Sequence, residues 1–108
     1  MPFFEIVYAP RFDRDLSAIL RYLRAEFSDS AADNVRDRVF QAIETLPENP
    51  ERYSREPRLS HLGNFRVIRL KQSPYKIFYQ FTGTEIRVVR IFHSKRNFDR
   101  IFRRYKFL

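Results

Sequence analysis

The chain has no cysteine, which excludes a disulfide framework and any thiolate metal site and is compatible with a reducing, intracellular compartment. Its two histidines, His61 and His93, are too few for a dedicated zinc site. With only Gly63 and Gly83 there is no glycine-rich loop to cradle phosphates. No nucleophile elbow, HExxH motif or EF-hand pattern is present, so covalent and metal-dependent catalysis have no motif to stand on. No apolar run approaches the roughly 20 residues of a membrane helix. The opening MPFFEIVYAPRF has no basic segment ahead of its apolar run and carries Glu5 inside it. It reads as a first strand and not as a secretory signal.

What is abundant is positive charge and aromatic surface. The 108 residues carry a net charge of +8 and include 12 Phe and 6 Tyr. That length predicts one domain over residues 1–108 with a modest core, to which bulky aromatics bring much buried area per residue. A small basic protein is drawn to polyanions: nucleic acid, ribosomes, anionic lipid or an acidic protein partner. The charge is unevenly spread. Residues 1–50 hold six arginines against nine Asp and Glu, so the whole excess lies in residues 51–108.

Hydrophobic periodicity orders the elements. Phe3–Tyr8 is a short strand candidate, and Ala9-Pro10 starts a helix. Phe12, Leu16, Ile19, Leu20, Leu23 and Phe27 recur on one face, with Arg14, Asp15, Arg21 and Arg24 assigned to the other. Ser28-Asp29-Ser30 interrupts the pattern, and Ser30 with Asp33 resembles a capping box. Ala32, Val35, Val39, Ala42, Ile43 and Leu46 make a second apolar stripe that ends before Pro47. A connecting loop with one helical turn follows over residues 47–64. Strands are expected at Phe65–Leu70, Tyr75–Phe81 and Glu85–His93, with a short helix or extension over Asn97–Tyr105. Ile77-Phe78-Tyr79 is apolar on both sides of the pleat, which suits a central strand. The expected fold is α+β in the order β-α-α-β-β-β. A helical hairpin packs on one face of a small, mainly antiparallel sheet, and the other face stays partly open.

Eight cations, Arg66, Arg69, Lys71, Lys76, Arg87, Arg90, Lys95 and Arg96, lie on or beside the last three strands. Alternate residues of a strand share a face, so Arg66 points away from Arg69 and Arg87 away from Arg90, and the eight cannot form one patch. Two readings stay open for them: a solvated face with charged strand ends, or a surface for phosphate or an acidic partner, to which arginine forks bind bidentately. His93 ends the last strand, where an imidazole would suit a general acid or base, although a structural hydrogen bond would place it there equally well. His61 reads as ordinary surface, and Tyr75 and Tyr79 as packing residues. Over residues 98–108, Phe98, Phe102, Tyr105 and Phe107 alternate with Arg100, Arg103, Arg104 and Lys106. Such a basic, aromatic tail suits stacking on single-stranded nucleic acid, docking on an acidic protein, or packing onto the sheet.

Three stretches together, APRFDRDLSAILRYL, AIETLPENPERY and above all FRVIRLKQSPYKIFYQFTGTEIRVVRIFHSKRN, resemble the RelE/ParE superfamily of toxins from bacterial type II toxin–antitoxin modules. The resemblance covers nearly the whole chain. It implies a small, basic, cytoplasmic toxin of the kind linked to plasmid stabilisation. A cognate antitoxin, ParD-like or similar, would wrap it in a hetero-oligomer, with no membrane partner, no metal and no cofactor. Superfamily members differ in target. RelE-type toxins cut messenger RNA on the ribosome without a metal, and that cationic set would fall here on Arg69, Lys76 and Arg96. The tyrosine usual near the C-terminus would fall on Phe102, which has no hydroxyl to exchange a proton; Tyr105 would replace it only in a shifted tail. The LPENP helix ending and the IRVVRIFHS strand are similar instead to the ParE branch, which poisons DNA gyrase. On that reading no residue is catalytic, and target contacts would fall on Arg90, Lys95, Arg96, Phe98, Phe102 and Tyr105.

Overall fold

A computed structural model describes residues 4–103 of the chain. Strand β1 (Glu5–Tyr8) leads into helices α1 (Pro10–Glu26) and α2 (Asp29–Glu44). A 3-10 helix (Pro57–Leu62) and strands β2 (Phe65–Arg69), β3 (Tyr75–Phe81) and β4 (Glu85–His93) follow, and a short helix α3 (Phe98–Phe102) comes last. The sheet order is β1-β4-β3-β2. β2, β3 and β4 form an antiparallel meander, and β1 pairs parallel to β4. The α+β order and the helical hairpin on a small, mainly antiparallel sheet are those the sequence predicts.

Local chemistry fixes the helix ends. Pro10 occupies the first turn of α1, where a missing N–H costs nothing. At the hairpin turn the N–H groups of both Phe27 and Ser28 donate to the Leu23 carbonyl. The cap of α2 is Ser28, whose hydroxyl accepts from the Ala31 N–H at 3.0 Å. The expected Ser30–Asp33 capping box is therefore not used: the cap lies two residues earlier, and Ser30 lies inside the helix. Asn97 caps α3 by accepting from the Arg100 N–H.

The helical hairpin buries one sheet face through Phe12, Leu16, Val39 and Ile43, which pack against Ile77, Tyr79, Ile86 and Val88. The opposite face is not open as expected. Leu59 of the 3-10 helix and Phe102 of α3 close over Phe65, Val67, Phe78, Val89 and Phe92. Phe78 lies at the centre of this second cluster, stacked on Phe92 with ring centroids 4.9 Å apart and edge-on to Phe102 at 5.2 Å. A sheet covered on both faces explains the unbroken apolar run of β3. Each such buried side chain contributes about 1.5–3 kcal/mol. The outer edge of β2 is blocked by the preceding loop. The Glu56 N–H donates to Phe65 and the Val67 N–H to Ser54, while the Arg66 guanidinium caps the carbonyls of Glu51 and Tyr53.

Candidate functional site

The feature that sets the site is the unequal length of β1 and β4. The register of the pair ends at Tyr8 and Val88, and the Ala9 N–H makes a last bond to the Val88 carbonyl at 2.9 Å. β4 continues to His93 without a strand on that side, and α1 crosses the gap instead. Within β4, Val88 faces Tyr79 and Arg90 faces Phe78. Val89 is thus the extra residue of a bulge, which bends the strand and re-aims the side chain beside it.

Asp15, in the second turn of α1, uses that geometry. Its carboxylate accepts the Arg90 guanidinium at 2.7 Å through Nε and 3.0 Å through Nη2, and the Ile91 N–H at 3.1 Å. It therefore stands where a neighbouring strand would have supplied a carbonyl. Asp15 does not lie with the outward polar residues of α1, as its helical position suggested. Arg90 is only 3% exposed, so its guanidinium is an internal structural group and not the surface contact expected of it.

Two cavities flank this pair. One, of about 550 Å³, runs between α1 and the free edge of β4, with Ile19, Tyr22, Tyr75, Ile91, Phe92 and His93 in its walls. The other, of about 400 Å³, is lined by Arg11, Arg90, Arg96, Asn97, Arg100 and Ile101. Arg11 and Arg96 line both, so an apolar, aromatic groove passes into a cationic hollow. Arg11 comes from the acid-rich half of the sequence, and nothing local to it signals that it will join a basic cluster.

The turn after β4 is locked in place. The Ser94 N–H donates to the Pro74 carbonyl at 2.7 Å, and the Arg96 N–H to the His93 carbonyl at 2.9 Å. His93 accepts the Lys95 N–H on Nδ1 at 3.0 Å and sets its ring edge-on to Tyr75. This is the structural hydrogen bond weighed for it from sequence. Lys95 and Arg96 are exposed. Arg69 and Lys76 are register partners on β2 and β3 and line neither of the two cavities that Arg96 lines.

Phe98 and Phe102 are packing residues: their rings lie 4.6 Å apart and both contact Phe78. The alternation of the tail resolves over residues 98–102 into a helix with Phe98 and Phe102 against the sheet and Arg100 outside. The expected contact at Tyr105 lies outside the described residues. Phe98 is also covered by Arg58, whose guanidinium carbon is 3.5 Å from the ring centroid. Arg58 in turn binds the buried Glu56 carboxylate at 2.8 Å. Those hydrogen bonds hold the Glu56 carboxyl below its ordinary value, against the effect of burial.

Among the described residues no group of three or more His, Asp and Glu side chains is placed to hold a metal ion. No helix among them is long and apolar enough to cross a membrane.

A family model described as the ParE toxin of the type II toxin–antitoxin system parDE matches residues 6–98. No curated protein matches the chain in sequence. Among solved structures, the chain is similar to one described as the chromosomal ParDE TA system from P. aeruginosa. The superposition has a TM-score of 0.71 at 18% identity and covers 84% of this chain and 96% of that one.

Proposed function

The chain belongs to the ParE toxin family of type II toxin–antitoxin systems, and from that membership we propose that it inhibits DNA gyrase in the bacterial cytoplasm until a ParD-like antitoxin neutralises it. The observation that carries this reading is the family match, which runs from β1 to the first residue of α3. The site supports it in two ways. Phe102 has no hydroxyl and is buried against Phe78 and Phe92, so it offers no proton to an RNA-cleaving reaction. Arg96 lines both the groove and the hollow, whereas Arg69 and Lys76 pair across β2 and β3 and line neither.

The contact surface for the target is the exposed basic turn of Lys95 and Arg96 with the outer side of α3 around Arg100. Arg90 and Phe102 support that surface from beneath. An antitoxin with an acidic segment would meet the same positive end of the molecule, where charge complementarity speeds association and screens partners.

The test is pulse labelling of DNA and protein synthesis after induced expression in a bacterium lacking the antitoxin. The expected result is an early fall in DNA synthesis while protein synthesis persists. An immediate fall in protein synthesis would move the target to the ribosome and messenger RNA. Purified protein that leaves gyrase supercoiling unchanged would remove gyrase from the account.

A further inference from the structure

The cationic hollow beside α3 has a charge imbalance that the fold does not use. Arg11, Arg96 and Arg100 line it, and among the described residues none of the three has an ion-pair partner. Asp15, in the wall of the adjoining groove, is already engaged by Arg90 and the Ile91 N–H. Asp99 lines a different cavity, with Arg58 and His61. Asn97 uses its Oδ1 for the Arg100 N–H, which leaves its Nδ2 donor for the hollow. Three guanidinium forks with about five N–H donors each therefore line a space to which no described residue contributes a carboxylate. Like charges held together in this way favour an anion between them.

We propose that this hollow is a phosphate site and that its occupant is a nucleotidyl phosphate whose base lies in the adjoining aromatic groove. A lone carboxylate has two oxygens and one charge, which would satisfy one fork and leave two cations facing each other. A phosphate presents more oxygens and up to two charges, and arginine forks match its geometry. The hollow of about 400 Å³ opens at Arg11 and Arg96 into the groove of Tyr22, Tyr75, Phe92 and His93. Tyr22 is 56% exposed, so its ring is available to stack on a base, as rings do in single-strand binders. Free nucleotides and single-stranded nucleic acid share this chemistry. The inference goes beyond the gyrase reading and does not rest on it, because it concerns binding by the isolated protein.

The test is calorimetric titration of the purified protein with ADP, pyrophosphate, adenosine, a six-nucleotide single-stranded DNA and a glutamate-rich peptide. ADP is expected to bind saturably and more tightly than adenosine. Arg11→Gln and Arg100→Gln should each weaken ADP and pyrophosphate roughly tenfold or more, the effect of losing a charge-assisted hydrogen bond. Arg21→Gln removes the same charge from an α1 position outside both cavities and should change neither. Tyr22→Ala should weaken ADP and leave pyrophosphate unaffected. DNA binding tighter than ADP through the same arginines assigns the site to a strand, and equal affinities assign it to free nucleotide; either outcome supports it. Three results would overturn the proposal: no saturable binding of any phosphate, an equal loss in Arg21→Gln, or tighter binding of the glutamate peptide through Arg11 and Arg100. All the substituted side chains are exposed, and thermal melts of the variants separate lost binding from lost fold.

Discussion

Asp15 and Arg90, 75 positions apart in the chain, close on each other through hydrogen bonds of 2.7 and 3.0 Å at the point where β4 outruns β1. The pair ties α1 to the sheet edge and fixes the floor between the aromatic groove and the cationic hollow. Its side chains are 14% and 4% exposed, so each charge depends on the other for solvation.

That dependence predicts an asymmetric response to mutation. Asp15→Ala strands a buried guanidinium and frees the Ile91 N–H, and should cost about 3–5 kcal/mol in urea unfolding. Replacing both partners, as Asp15→Leu with Arg90→Met, should recover much of that loss, because an apolar pair needs no mutual solvation. If the double variant is as unstable as the two single losses added together, the pair is not coupled as described.

Phe102 yields the second prediction. Its ring packs against Phe78, Phe92 and Phe98, so Phe102→Ala should destabilise the protein by about 3 kcal/mol through lost burial and an unfilled cavity. Hydrogen exchange would report early opening of the 3-10 helix and α3. A variant with normal protection there would return Phe102 to the surface role read from sequence. A deletion from residue 98 onward would remove the packing of Phe98 and Phe102 along with the Arg100 side of the contact surface, so it would not isolate the contact. Substitution of Lys95 and Arg96, both exposed, is the cleaner probe.

How far the sequence carried the description depends on the range of the interaction involved. Tyr75–Phe81 and Glu85–His93 are strands with the bounds expected, because a two-faced apolar run and a glycine turn are local signals. Pro10 and the apolar stripes placed both helices for the same reason. Ser28 and Ser30 compete for one cap, and only the turn's hydrogen bonds to Leu23 decide between them. The covering of the second face was illegible because it needs the 3-10 helix and α3, separated in sequence by the whole meander, to meet over Phe78. Arg90 looked exposed because a bulge at Val89 breaks the alternation on which strand facing rests, and Asp15 looked outward because only the docking of α1 against β4 brings Arg90 to it. Arg11 joins Arg96 and Arg100 only once α1 lies along the free edge of β4.

Acid should loosen α3 through Glu56. The hydrogen bonds from Arg58 hold the folded carboxyl below its ordinary value of 4.5. A carboxyl lowered in the folded state contributes stability that is present above the unfolded value and lost as pH falls through the folded one. The loss should therefore appear below about pH 4.5. Unfolding curves collected from pH 3 to 6 should be steeper in pH for the natural chain than for Glu56→Gln, which keeps a hydrogen-bond acceptor without the titrating charge. Parallel curves would mean that Glu56 does not carry the effect. Because Arg58 also covers the Phe98 ring at 3.5 Å, amide exchange in α3 should rise over the same pH window.

Tyr79 sets the corresponding limit at alkaline pH. It is completely buried in β3 and donates its hydroxyl to the Pro50 carbonyl at 2.7 Å, anchoring the loop that blocks the β2 edge. Burial pushes its phenol from the ordinary 10.0 up to about 12, since an ionised ring oxygen would lose both water and the hydrogen bond it donates. For an acid raised in the folded state, the contribution is complete below the unfolded value and disappears as pH climbs towards the folded one. Stability should therefore fall between about pH 10 and 12. In an ultraviolet titration, Tyr79 should ionise only together with unfolding. Tyr79→Phe removes the donor and leaves the Pro50 carbonyl buried without it, at a cost of about 1–3 kcal/mol at neutral pH. It should also flatten the alkaline decline. If the variant keeps the full stability of the natural chain and the same alkaline curve, the hydroxyl is not what holds the Pro50 loop to the sheet.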